Sequence, residues 1–363
     1  MRFSIVTPSF KQLDYLECCI ASVADQGAEN GGRRAEDGGQ GARQEQAPIF
    51  NFGFWILNFK RSREEKARKA GERKASGTDG QLTIEHIVQD AGSPGIEEFA
   101  EKTAERLLRQ YGGERVKNLE PFELLHLRTS HGYNLRIFKE KDEGMYDAIN
   151  KGFRKAAGEI CAYLNCDEQY LSGTLDRVRE EFEDQRKMEV LFGAAIVVRP
   201  DGSYVCDRKV MKPTRLHTLV SGNLSIFTCS TFFRCSSVVD RGLFFKSEWK
   251  VVGDAVWILD LLDQRLKMRV LRQPLSVFTE TGSNLSLQDK AGSERERLGE
   301  RAPGWARAGR WLILVVYRLK RFFGGAYWIR PHRYCIYTAA SPQEREGFVV
   351  EKPIYRWITI SRS

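Results

Sequence analysis

A short apolar run that ends on adjacent carboxylates limits the fold of this chain more than any other feature. Ile160 to Leu164 reads as a strand, and Asn165-Cys166-Asp167-Glu168 follow it with no linker. An acidic turn and a helical run from Met145 to Ala157, ended by Gly158, come just before it. A buried strand that feeds straight into carboxylates places negative charge at the carboxyl edge of a sheet, where open α/β sheets take their ligands. Oxygen donors there suit a hard divalent cation, which in turn can hold a diphosphate.

The same rhythm precedes this unit. Phe3 to Thr7 is a β-rich run closed by Pro8, and Leu13 to Asp25 has apolar residues at helical spacing. Leu82 to Gln89 resumes the strand pattern. Asp90 to Gly95 forms a tight loop, Ile96 to Tyr111 a helix, and Leu135 to Lys139 a further strand. This β-α-β-α-β order predicts an α/β fold with a mostly parallel, doubly wound sheet and flanking helices. Two stretches break it. Residues 27–81 carry six glycines over 27–47, an aromatic run at 48–59 and a charged run at 60–74, and are expected to be an insertion without fixed structure. Residues 112–133 read as a second, shorter insertion. Downstream, the patterns predict a helix over 172–185, a strand over 190–198 that returns through Pro200-Asp201-Gly202, and a short strand at 231–233. A helix over 254–264 and two late strands at 268–271 and 275–278 complete the domain.

The chain has 363 residues, enough for one or two domains. Its formal charge of +9 is uneven: residues 290–363 hold 15 Lys and Arg against 6 Asp and Glu, so residues 1–289 are close to neutral. We therefore divide the chain into a near-neutral domain over 1–289 and a basic tail over 290–363. A nucleic-acid-binding body is excluded by this distribution, and a local anionic partner for the tail is favoured. Trp305, Trp311, Phe322, Phe323, Tyr327 and Trp328 alternate with arginines in the tail, but its apolar core at 311–317 is far short of the ~20 residues that span a bilayer. The pattern fits either a helix lying in an anionic membrane interface or a terminal helix packed on the body. The eight cysteines form no CxxC pair, so reduced thiols are expected rather than a disulfide framework or a zinc site. The first residues show no signal-type apolar run, which predicts a cytoplasmic protein, peripheral on the inner membrane face if the tail binds lipid.

Four pieces in chain order, Val6-Thr7-Pro8-Ser9-Phe10, Gln89-Asp90-Ala91-Gly92-Ser93, the unit from Gly144 to Asp167, and Val252-Gly253-Asp254, resemble the family 2 glycosyltransferases of the GT-A fold. The resemblance covers about residues 1–26 and 82–285. It implies a metal-dependent enzyme that moves a sugar from a nucleotide-sugar donor to an acceptor hydroxyl with inversion. It further implies that Thr7, Pro8, Ser9 and Asp90 contact the nucleotide, that Asp142, Asp147 and Asn150 serve the donor, that Asp167 binds Mg²⁺ or Mn²⁺, and that Asp254 is the catalytic base. Ser230 to Arg234 resembles the segment lining the acceptor side, and Thr281 to Asn284 a loop that closes over the donor. Two positions depart from the family pattern: Asn165 replaces the first Asp of the DXD-type motif, and Ile149 stands where many members have Arg. The implied acceptor is a saccharide or a lipid-linked molecule, in cell-surface polysaccharide or glycolipid assembly. The competing readings are a catalytically degenerate relative acting as a membrane scaffold, and a nucleotidyltransferase. The absence of glycine from Pro8-Ser9-Phe10-Lys11-Gln12 speaks against the latter.

Overall fold

The computed structural model describes residues 1–27, 82–282 and 290–357. Apart from Gly27, the segment expected to be an insertion at 27–81 lies outside the described residues, as do Ser283 and Asn284.

The first half follows the expected rhythm: β1 (Arg2–Ser9), α1 (Leu13–Ala24), β2 (Thr83–Asp90), α2 (Ile96–Tyr111), β3 (Glu114–Arg115), β4 (Glu123–Arg128), β5 (Tyr133–Lys139), α3 (Met145–Lys155) and β6 (Ile160–Tyr163). β1 and β2 are buried along almost their whole length, as strands covered on both faces must be. β5, β2, β1 and β6 lie side by side and parallel. α2 turns Ile96, Ala100, Ala104 and Leu107 inward at helical spacing. α3 lies so close to β1 that a Cβ on Gly152 would come within 2.3 Å of Val6 Cγ1, so only glycine fits there.

Residues 112–133 are not an insertion. β4 extends the sheet antiparallel to β5 and β3 pairs antiparallel with β4, with Leu125 and Leu127 buried. Alternation with Glu, His and Arg on the other face gave this edge its loop-like sequence.

The second half adds β7 (Glu168–Tyr170), α4 (Thr174–Asp184), β8 (Val190–Val198), β9 (Tyr204–Arg208), α5 (Arg215–Ser221), β10 (Thr231–Arg234), α6 (Cys235–Val238), α7 (Gly253–Asp263) and β11 (Met268–Thr279). β10 joins β6 to β8 antiparallel, and β8 pairs parallel with β11, so the sheet has a parallel centre and mixed flanks. β11 is one strand with register shifts around Pro274 rather than two strands. Cys161 and Cys235 are joined by a disulfide, with 5.5 Å between their Cα atoms. The all-thiol expectation fails at this pair because β6 and β10 are neighbours only in the folded sheet. The other six cysteines are free thiols.

The tail is not wholly helical. After α8 (Lys290–Glu300), α9 (Gly304–Ala308) and α10 (Arg310–Phe323) it forms a hairpin of β12 (His332–Ile336) and β13 (Glu346–Val350). Leu298, Ala302 and Ala306 pack into the body beside Val256 and Leu259 of α7. Tyr334, Ile336 and Val350 cover Ile196, Val198 and Val277 of the main sheet. Arg345 Nε and Nη2 donate to Asp25 at 2.6 and 2.9 Å, and Tyr337 Oη donates to the same carboxylate at 2.8 Å. Among the described residues no helix is long and apolar enough to cross a membrane.

Candidate active site

β2 lies on one side of β1 and β6 on the other, which makes the carboxyl ends of β1 and β6 a topological switch point. A cavity of about 700 Å³ opens there. Pro8, Ser9 and Phe10 line it from the end of β1, Ala91 from the loop after β2, and Asn165 to Glu168 from the turn after β6. Asp142, Gly144 and Tyr146 come from the start of α3, and Asp254 from the first turn of α7.

Asp167 and Glu168 are adjacent carboxylates. Burial pushes both above the ordinary carboxylate range, and the Asp167 charge raises Glu168 further. Glu168 is 1 % exposed and its Oε2 accepts Asn165 N–H at 2.8 Å, so it shapes the turn. Asp167 keeps more exposure and is the carboxylate free for a ligand. Among the described residues, Asn165 Oδ1 and Ser9 Oγ are buried with no hydrogen-bond partner. Among the described residues no group of three or more His, Cys, Asp and Glu could hold a metal alone. A hard cation at Asp167 and Asn165 Oδ1 would therefore complete its shell with diphosphate oxygens and water, which is how Mg²⁺ is commonly bound.

Asp254 Oδ1 accepts Ala255 N–H at 2.7 Å, and burial raises its carboxyl to about 6. The helix start that carries it is held from two sides. Tyr146 Oη accepts Asp254 N–H at 3.1 Å. Glu294, on tail helix α8, accepts the N–H groups of Lys250, Val251 and Val252 at 2.8, 2.9 and 3.0 Å. A Cβ on Gly253 would lie 2.5 Å from Tyr146 Cε2, so the residue before Asp254 must be glycine for the ring to sit there. Sequence reasoning missed Tyr146 and Glu294. Tyr146 stands inside the Gly144–Asn150 run and had a signal to find, whereas Glu294 had none.

Of the predicted site residues, Pro8, Ser9, Asp142, Asp167 and Asp254 line the cavity. Asp142 Oδ1 accepts Gly144 N–H at 2.8 Å, and burial raises its carboxyl. The other four lie behind the lining. Thr7 is buried and its hydroxyl meets His86 Nε2 at 2.9 Å. Asp90 is consumed by its own loop, accepting Gly92 N–H, Ser93 N–H and Ser93 Oγ–H at 2.8, 2.6 and 2.7 Å. Asp147 accepts Glu143 N–H at 3.1 Å and lies 3.6 Å from Lys151. Asn150 binds the Phe245 backbone in both directions, at 2.8 and 2.9 Å. None of these four is among the residues that line the cavity, and the side chains of Thr7, Asp90 and Asn150 bond within the protein.

Residues 124–240, from β4 to just beyond α6, match the model of glycosyl transferase family 2. Among relatives, the PGL/p-HBAD biosynthesis glycosyltransferases of Mycobacterium bovis and Mycobacterium tuberculosis are 28% identical over 101 residues, 26% of this chain. The match spans 40% of the length of those relatives. Among solved structures, S. aureus TarS 1-349 in complex with UDP-GlcNAc aligns with TM-score 0.45 and 14% identity over 82% of this chain and 65% of that one. Mannosyltransferase PcManGT from Pyrobaculum calidifontis, in complex with GDP-Man and Mn²⁺, aligns with TM-score 0.43 and 13% identity over 81% and 60%.

Proposed function

We propose that this protein is an inverting glycosyltransferase that moves a sugar from a nucleotide-sugar donor to an acceptor hydroxyl. The observation that carries the reading is the pair of raised-pKa carboxylates, Asp167 and Asp254, which line one cavity at the switch point of the sheet. Perturbed acids gathered in a cleft are the usual mark of a reaction site.

In this reading the nucleotide lies against Pro8, Ser9 and Ala91 and the diphosphate reaches Asp167. Asp167 with Asn165 Oδ1 would hold Mg²⁺ or Mn²⁺, which when bound would neutralise charge on the departing diphosphate. Asp254 accepts the proton of the acceptor hydroxyl as its oxygen bonds to the anomeric carbon. The bond from that carbon to the diphosphate oxygen breaks on the opposite side, so configuration inverts. A carboxyl raised to about 6 is a stronger base than an ordinary Asp and remains ionised at neutral pH. Tyr146 and Glu294 hold the helix start so that Asp254 keeps its place.

The proposed setting is cell-surface polysaccharide or glycolipid assembly at the cytoplasmic face of a membrane. The support for the membrane is α10. Leu312, Val315, Val316, Leu319, Phe322 and Phe323 form one stripe, each 40 to 79 % exposed. Arg310, Arg318, Lys320 and Arg321 accompany it with no acidic residue. An apolar stripe flanked only by cations complements an anionic lipid surface.

The deciding experiment is a thermal-shift screen of nucleoside diphosphates and their sugars with and without Mn²⁺, followed by donor turnover on the ligand that binds. A native-state ligand raises the melting temperature. Absence of any Mn²⁺-dependent shift would sink the donor-site reading.

A further inference from the structure

The end of the cavity at Asp167 has no cation of its own. Among the described residues Lys141 is the only Lys or Arg that lines the cavity, and it follows β5. In the sheet, β2 and β1 stand between β5 and β6, whose end leads to Asp167. Three strand spacings come to about 14 Å, so Lys141 belongs to the far side. At the near side Asn165, Cys166 and Glu168 adjoin Asp167 in the chain, and Gln12 stands against Cys166. A diphosphate brought to Asp167 needs hydrogen-bond donors for its oxygens, and here they must come from neutral groups.

Gln12 has such donors to give. Cys166 Sγ lies 2.8 Å from Gln12 Oε1, and both residues line the cavity. A thiol is protonated at neutral pH, so Sγ–H donates and the amide oxygen accepts. Oxygen and nitrogen occupy opposite branches of the amide. Fixing the oxygen on the thiol therefore turns the NH₂ group, with its two donors, away from Cys166. Among the described residues Nε2 makes no hydrogen bond. Gln12 is also the N-cap residue of α1, yet its side chain bonds no backbone N–H of that helix. A second group on the same segment lacks a protein partner. Ser9, at the end of β1, is 4 % exposed and lines the cavity, and its Oγ bonds nothing among the described residues. Buried hydroxyls are normally bonded, so this end of β1 is left to a ligand or water.

We propose that Gln12 is a diphosphate-binding residue, its side-chain NH₂ donating to a phosphate oxygen, and that the Cys166 thiol is the positioning residue that aims it. Cys166 stands between Asn165 and Asp167, so one turn governs both contacts to the ligand: the carboxylate by way of a cation, the amide directly. A hydrogen bond to an ionised oxygen is about twice as strong as a neutral one, which suits a neutral donor to this place. The assignment of that diphosphate to a nucleotide sugar rests on the proposed function; the phosphate contact itself does not.

The test uses the full chain and calorimetry with inorganic pyrophosphate and Mg²⁺, a probe that assumes neither base nor sugar, and then with UDP and GDP. Gln12→Ala should weaken pyrophosphate binding about tenfold, the weight of one charge-assisted hydrogen bond. Gln12→Glu keeps the length but sets a carboxylate against the phosphate, and should weaken it further. Cys166→Ala should reproduce most of the Gln12→Ala loss. Cys166→Ser keeps a donor and should restore the affinity, whereas a thiol that only fills space would be replaced no better by serine than by alanine. In the unmodified protein, pyrophosphate should shift the Gln12 side-chain NH₂ resonance, identified by its loss in Gln12→Ala, a readout independent of how the other variants fold. No pyrophosphate binding by the parent, or equal affinity in Gln12→Ala, overturns the inference. Serine no better than alanine at position 166 overturns the positioning role. Pyrophosphate binding that depends on Gln12, with no nucleoside diphosphate bound, would count against the transferase reading alone.

Discussion

Replacing Gly253 by alanine tests the packing that holds Asp254. In an unconstrained helix the change would stabilise by about 1 kcal/mol, because glycine loses more backbone freedom on folding. Here the added methyl would meet Tyr146 at 2.5, 2.8 and 2.9 Å from three ring atoms. The ring is 4 % exposed and stacks on Phe245 with centroids 5.1 Å apart, so it can yield only toward the cavity it lines. Overpacking of this kind costs about 1–3 kcal/mol, so we expect a net loss of about 1–2 kcal/mol after the propensity gain. Urea denaturation with a common slope would measure it. Combining the change with Tyr146→Leu removes the opposing ring, and the double-mutant cycle should then show a coupling of more than about 0.5 kcal/mol. Turnover in Gly253→Ala should fall with stability, since the displaced ring also binds Asp254 N–H. A Gly253→Ala protein as stable as its parent would refute the reasoning, because it would mean that the ring or the helix start yields freely.

Asp254→Asn should leave nucleotide binding unchanged and lower turnover by about 10²-fold or more, measured as nucleoside diphosphate release. The parent's turnover should rise with pH through about 6 as Asp254 ionises. Its folded carboxyl titrates above the unfolded value of 3.8, so the contribution of this group to stability is present below that value and is lost as pH rises through about 6. The Asn variant should accordingly lose less stability than the parent across that window, read by melting at several pH values. Asp167→Asn should abolish Mn²⁺-dependent diphosphate binding, checked by calorimetry with the nucleoside diphosphate. Glu294→Gln weakens three contacts to the segment before α7 and should lower turnover several-fold with nucleotide affinity unchanged; equal kinetics in variant and parent would remove Glu294 from the positioning role. Serine at Leu312, Leu319 and Phe323 together should weaken binding to anionic vesicles without lowering the melting temperature, since all three are exposed.

Much of the parallel centre was legible because its strands are near-continuous apolar runs closed by Pro8, Asp90 and Asn165, and the helices between them keep a 3.6-residue period. β3 and β4 were not, because an edge strand alternates with polar residues and is too short to declare itself. The tail hairpin was hidden for another reason. Its strands carry little local pattern and are fixed by Tyr334, Ile336 and Val350 meeting Ile196, Val198 and Val277 of the main sheet, all distant in sequence. At the site, Asp167 stood out by its place at the end of a strand, while Ser9 and Asp254 came from the resemblance of the motifs that hold them; all three line the cavity. The division between lining and support was not. Nothing in the letters says that Asn150 turns to Phe245 or that Asp90 closes on its own loop, since both outcomes use the same residue types at the same spacing.

The pairing of Arg345 with Asp25 bridges a sequence separation of 320 residues. Protein synthesis is directional, so the first helix and the strands that follow can assemble long before their partner emerges. Throughout that interval Asp25 has neither the guanidinium nor the Tyr337 hydroxyl that later satisfy it, and the sheet face destined for the hairpin stays bare. The body must therefore pass through a stage in which it is folded in outline but unlatched, with apolar surface open to wrong partners. Closing the latch requires contacts of very high sequence separation, which form late and slowly.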